Sequence, residues 1–148
     1  MIEKKEKYSG PITYEDWIDL GRIIIPCLRG KPVVKRWSDP SFKVTKEEWK
    51  KNYSHCEIAL RLDRDVDLDI DNALVKRFVD RYVKSCSAVS GRAGNPESHY
   101  WWKGEIEFTQ YKLPAELKEK FKNLPHGSML CELRHGHDRY TIVPASKH

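Results

Sequence analysis

Asp65, Asp67, Asp69 and Asp71 alternate with Val66, Leu68 and Ile70 along one short run of the chain. In an extended strand residues two apart share a face, so one face is apolar and the other carries carboxylates about 6 to 7 Å apart. Like charges in such a row repel one another unless cations sit among them. Divalent ions are the natural cations, because Mg²⁺ is held by one or two carboxylates together with substrate phosphates. The competing reading is an edge strand whose acids point into water and discourage pairing with other chains. Four acids at strict period two, running straight into a helix cap, favour the metal.

A third ligand is expected from Glu132, an acid in the middle of the strand-like run Met129-Leu130-Cys131-Glu132-Leu133-Arg134. His99 follows the glycine-bearing turn that carries Arg92, and Lys103 closes the same segment. A histidine, an arginine and a lysine beside such a turn are suited to phosphate oxygens. Tyr100, Trp101 and Trp102 offer rings that can stack on bases. Alternation leaves only one or two of them on the binding face, and core packing is their expected role.

The surrounding elements must position these groups. Thr13 caps a helix to about Gly21, with Trp17, Ile18 and Leu20 on its apolar side, and residues 22–26 read as a buried strand. Thr45 and Glu48 form a capping box ahead of Trp49. Residues 57–62 and 66–70 read as two strands joined by a turn at Asp63-Arg64. Asp71-Asn72 then caps a helix whose stripe is Leu74, Val75, Phe78, Val79, Tyr82 and Val83. After a turn over residues 91–96, residues 98–103 form an aromatic strand. Pro114 opens a helix to about Leu124. Residues 129–134 and 139–143 read as a hairpin turning at Gly136. Helices mixed with antiparallel hairpins indicate an α+β fold.

The chain has 148 residues, the length of a single domain over 1–148, with residues 1–8 as a charged arm. Its longest apolar run, Ile23-Ile24-Ile25, is far short of the roughly 18 to 20 residues that cross a bilayer. No membrane partner is expected. The N-terminal stretch lacks the apolar core of a secretory signal. The widely spaced Cys27, Cys56, Cys86 and Cys131 contain no C-x-x-C pair, so reduced thiols in the cytoplasm are expected. Lys and Arg total 27 against 22 acids, a net +5 that suits a polyanionic partner.

Three stretches occur in a telling order. Leu68-Asp69-Ile70-Asp71 precedes a helix, Ser90-Gly91-Arg92 leads through Ser98-His99-Tyr100, and Cys131-Glu132-Leu133-Arg134 leads to residues 144–148. This set resembles the three motifs of the archaeo-eukaryotic primase superfamily, and more narrowly the primase-polymerase (prim-pol) domains of plasmids and viruses. Residues 25–32 up to Trp37 also resemble the usual start of such domains.

The resemblance implies an RRM-like antiparallel or mixed sheet backed by helices, with a small N-terminal α/β portion. It implies a template-dependent nucleotidyltransferase that uses two divalent ions, Mg²⁺ or Mn²⁺. Asp69, Asp71 and Glu132 would be the catalytic metal ligands, with Asp67 replacing one if the register is shifted. His99 would contact the incoming triphosphate, with Ser98 in the same motif and Arg92, Lys103 and Arg134 as further phosphate partners. Nucleoside triphosphates and a single-stranded DNA template would be the ligands, with Lys31, Lys35, Arg36 and residues 118–122 as template contacts. Relatives continue into a helical bundle and a helicase, so a minimal catalytic core or a fragment is expected. A non-catalytic single-strand-binding module would need the basic and aromatic surface but not the acids. His135-Gly136-His137 superficially resembles the H-x-H site of rolling-circle nickases, and Cys131 with His135 and His137 makes an incomplete zinc set.

Overall fold

The computed structural model describes residues 12–83, 86–92, 95–120, 122–123 and 129–143, with the side chains of Arg92, Asn95 and Pro96 outside that description. The expected arm over 1–8, the centre of the turn over 91–96, the end of the helix near Leu124 and the tail over 144–148 also lie outside it. In chain order the elements are α1 (Tyr14–Asp19), β1 (Ile24–Leu28), β2 (Lys31–Pro32), α2 (Lys46–Glu48), β3 (Glu57–Ile70), α3 (Ala73–Tyr82), β4 (Ala88–Arg92), β5 (Asn95–Lys103), β6 (Thr109–Lys112), α4 (Ala115–Lys118) and β7 (Met129–Ile142). A π-helical turn, Trp49–Tyr53, continues α2.

Local chemistry sets the element ends. Thr13 and Thr45 each complete a capping box, with Asp16 and Glu48 as the third-position acids. Asn72 Oδ1 accepts from the backbone of Leu74 at 2.8 Å and Val75 at 3.4 Å, satisfying donors at the start of α3. Arg29 and Gly30 both take positive φ, 51° and 75°, the geometry that a two-residue hairpin between Leu28 and Lys31 demands.

The seven strands form one sheet in the order β2-β1-β3-β5-β4, with β7 along the other edge of β3 and β6 beyond β7. Every pair is antiparallel. The succession β3-α3-β4-β5-α4-β7 lies in space as β7-β3-β5-β4, a split β-α-β arrangement. The α+β class, the helix-backed sheet and the small N-terminal α/β portion are as expected.

Two turns expected from sequence are absent. Asp63-Arg64 lies inside the single 14-residue strand β3, and Gly136 lies inside the equally long β7. Their ladder slips between Arg61 and Leu62 and again between Leu62 and Asp67. Such irregularities bend and twist a strand without reversing it. They also change which residues share a face. Thr141, the cross-strand partner of Leu60, donates a hydrogen bond to Asp67. Trp101, the partner of Asp67, packs with Leu60 and Leu62. Even positions before the slip therefore share a face with odd positions after it.

The main core on that face gathers Ile24, Trp49, Ile58, Leu60, Leu62 and Trp101 under α1 and α2. On the opposite face Leu68, Ile70 and Tyr100 meet Val79 of α3, flanked by Val75 and Val83. The other half of the expected α3 stripe, Leu74, Phe78 and Tyr82, stays exposed, as does Leu20 beyond α1. Among the described residues no helix is long and apolar enough to cross a membrane.

Candidate active site

The central position of β3 gives each of its acids a neighbour on both sides. Asp69 pairs with His99 of β5 on one side and Glu132 of β7 on the other. Beyond them lie Ser90 of β4 and Gln110 of β6, so Ser90-His99-Asp69-Glu132-Gln110 forms one row across five strands. In the next row on this face Trp101 and Arg134 flank Asp67, and beyond it Lys103 pairs with Asp65.

This is no solvated edge. Asp65 is 6% exposed and Asp67 0%, and the acids sit among cations supplied by other segments of the chain. Asp67 accepts from His99 Nδ1 at 3.0 Å and from the Thr141 hydroxyl. Arg22 reaches Asp65 at 3.0 Å. The Arg134 guanidinium hydrogen-bonds Asp69 and lies 2.9 Å from Glu132, so it bridges two carboxylates on neighbouring strands. Gln110 donates to the other oxygen of Glu132. Buried carboxylates require this kind of pairing.

The electrostatics separate the two central acids. Burial raises the pKa of Asp69 despite Arg134 and His99 beside it. Burial acts the same way on Glu132, but the bonds from Gln110 and Arg134 outweigh it and hold that carboxyl low. Burial also raises Asp65, against the pull of Arg22. For His99 burial opposes the imidazolium, yet Asp67 and Asp69 outweigh it and hold the pKa above the ordinary 6.5.

Asp69, Glu132, His99, Asp67 and Arg134 are thus brought together. Asp71 is not in the row: β3 ends at Ile70, and the Asp71 backbone N–H donates to Leu130 at 3.1 Å in the link to α3. Among the described residues no three His, Cys, Asp or Glu side chains gather closely enough to hold an ion. The expected trio of Asp69, Asp71 and Glu132 is therefore not assembled, and the proposed zinc set of Cys131, His135 and His137 is not either. Cys131 faces α3, and His135 Nδ1 lies 3.1 Å from the Asp65 carbonyl oxygen.

Ser98 alternates with His99, is buried, and so lies on the opposite face of β5. Lys103 is exposed at the end of the acid face. The backbone of Arg92 pairs with Asn95 at the far end of β4. Lys31, Lys35 and Arg36 are exposed near β2, beside the end of β3 opposite the acids, and Arg36 is paired with Asp39 at 2.6 Å. Tyr100 and Trp101 are buried as expected, and Trp101 Nε1 donates to Ser90 at 2.8 Å.

Sequence reasoning missed Thr141, Arg22 and Gln110. Thr141 and Gln110 act through cross-strand register and Arg22 from the connection ahead of β1, and nothing in their local sequence announces them. No protein-family model, no curated protein and no solved structure matches this chain.

Proposed function

We propose that the acid row is the centre of a template-directed nucleotidyltransferase of the primase-polymerase kind. The observation that supports it is the cross-strand row itself. Three side chains from distant segments, His99, Asp69 and Glu132, stand side by side on adjacent strands. They are three of the four residues that the three-motif resemblance singles out; the fourth, Asp71, follows the end of β3.

Asp69 and Glu132 offer the hard oxygen donors that Mg²⁺ or Mn²⁺ takes, and substrate phosphates would supply the remaining ligands. Bound there, a pair of divalent ions would supply the acidity that makes a 3′-hydroxyl a nucleophile and the positive charge that a leaving pyrophosphate needs. Arg134 touches both carboxylates, so loading the site would exchange partners: the carboxylates turn to the ion and the guanidinium turns to triphosphate oxygens. His99, held toward the charged form by Asp67 and Asp69, adds a second cation for the triphosphate.

Nucleotide incorporation on single-stranded DNA tests this, with and without a primer, in Mg²⁺ or Mn²⁺. Wild type should give metal-dependent product that Asp69→Asn and Glu132→Gln each abolish. Product without a primer would make the domain a primase, and primed extension alone a polymerase core. Full incorporation by Asp69→Asn would sink the assignment. A second reading has its own observation: Arg134 already engages both central acids, and a non-catalytic single-strand-binding module does not need those acids free. Strand binding without incorporation in either metal would select that reading.

A further inference from the structure

Along one edge of β3, β1 pairs only as far as Leu60 and β5 begins only at Asp65. Arg61 and Arg64 still touch the flanking chains through single backbone bonds, to Ile23 at 2.9 Å and Gly104 at 3.1 Å. Between them the sheet has a notch. It opens as a cavity of about 180 Å³ lined by Gly21, Arg22, Ile23, Arg61, Asp63 and Arg64.

Three arginines and one aspartate line this notch, and their partners differ. Arg61 is 4% exposed and fully committed: it donates to the Trp37 and Asp39 carbonyls at 3.0 and 2.7 Å and to Asp63 at 2.7 Å. Arg22 is anchored by Asp65. The Arg64 side chain forms no hydrogen bond or ion pair among the described residues, and its guanidinium lies against Gly21. Gly21 has φ 72°, and a Cβ there would sit 3.6 Å from that guanidinium. The glycine lets the α1–β1 connection turn tightly at the rim of the notch. Asp65 and Asp63 offset Arg22 and Arg61, so the Arg64 guanidinium leaves the notch with one net positive charge, of the kind that grips a phosphate.

We infer that this notch is a separate phosphate site, and that it takes a phosphodiester of a single nucleic-acid strand. Arg64 precedes Asp69 by five strand residues, up to about 17 Å at roughly 3.3 Å per residue. One triphosphate chain cannot touch both. A strand can, and exposed Lys103, the cross-strand partner of Asp65, stands between them as an intermediate cation. The choice of nucleic acid as ligand rests on the proposed function, whereas the cationic notch does not.

The test is fluorescence anisotropy of a labelled oligo-dT over a salt series, with no metal or nucleotide added, so that incorporation plays no part. Arg64 is exposed, so Arg64→Gln should fold normally. It should weaken binding about three- to tenfold and flatten the log-log salt slope by about 0.7. Arg64→Lys should recover part of the affinity, while Lys50→Gln, an exposed cation on the π-helical turn, should change little. Competing inorganic phosphate or a nucleoside triphosphate should displace the oligomer only weakly. Unchanged affinity in Arg64→Gln, an equal loss in Lys50→Gln, no binding by wild type, or strong displacement by free phosphate would each overturn the inference. A chain that binds through Arg64 but incorporates nothing would keep the notch and lose the enzyme. Incorporation with an unaltered Arg64→Gln variant would do the reverse.

Discussion

In the first half of β3, Ile58, Leu60 and Leu62 are sealed beneath Trp49 and Val143. In the second half the same face carries Asp65, Asp67 and Asp69, held by Arg22, His99 and Arg134. Both halves are buried, so the difference lies in what burial does. Covering an aliphatic side chain stabilises by about 1.5 to 3 kcal/mol. Covering a carboxylate costs free energy that its cation only offsets, and replacing such a pair by apolar residues is often neutral or stabilising. The first half therefore anchors the fold, and the second half is arranged for something other than stability.

The sharpest way to break this comparison is to truncate the anchoring half. Leu62 is 0% exposed, and Leu62→Ala should lower unfolding stability by about 2 to 5 kcal/mol. A urea titration should show the midpoint falling with an unchanged slope. A loss below about 1 kcal/mol would mean that the apolar half is not the anchor.

The next effect belongs to Arg134, the charge shared by two acids. Arg134→Gln leaves Asp69 and Glu132 facing each other without their cation. Complete removal of one partner of a buried pair costs about 3 to 5 kcal/mol. The Arg134 side chain is 22% exposed, so about 2 kcal/mol is expected here. If the two carboxylates form a metal site, Mn²⁺ should raise the melting temperature of Arg134→Gln more than that of wild type. An equal response in both proteins would mean that the guanidinium does not compete with an ion.

The contrast between the halves was only partly legible in the sequence. The period-two acids mark a two-faced strand, and Asp69, His99 and Glu132 each stand out singly, because local alternation and motif order are written in neighbouring residues. The side chosen by each half was not legible. Parity carried through from Leu62 to Asp67 puts the acids opposite Leu60, whereas the slipped ladder puts them on the same face. That slip is a property of β3 and β7 together, as are the Thr141 bond to Asp67 and the Arg134 bridge. The strand's end at Ile70, with Asp71 passing into the cap of α3, was legible from the Asp71-Asn72 pair.

A smaller effect of opposite sign is expected at Asp69. Its folded-state pKa is raised, chiefly by burial, so the ionised group works against folding at neutral pH. Asp69→Asn should then leave stability unchanged or raise it by up to about 1 kcal/mol, while abolishing incorporation. Thermal melts beside activity assays separate the two effects. Loss of both would make Asp69 part of the scaffold.

The smallest effect is a pH dependence from His99. Burial opposes its charge, but Asp67 and Asp69 hold its folded-state pKa above 6.5. A raised pKa means that the folded chain binds the proton more tightly than the unfolded chain does. The resulting stability is fully present below pH 6.5 and is lost as pH rises through the folded-state value. Wild type should weaken across that window, by less than about 1 kcal/mol, and His99→Gln should flatten the slope there. The scan must stop below 9.0, because the buried Cys27 thiol, pushed up to about 12, adds its own loss of stability above that point. The raised Asp69 adds a loss of the same sign as pH rises, so the reading is the difference in slope between wild type and His99→Gln. A wild-type slope that His99→Gln leaves intact would show that the imidazole in the acid row is neutral, leaving Arg134 of the neighbouring row as the cation that Asp69 and Glu132 share.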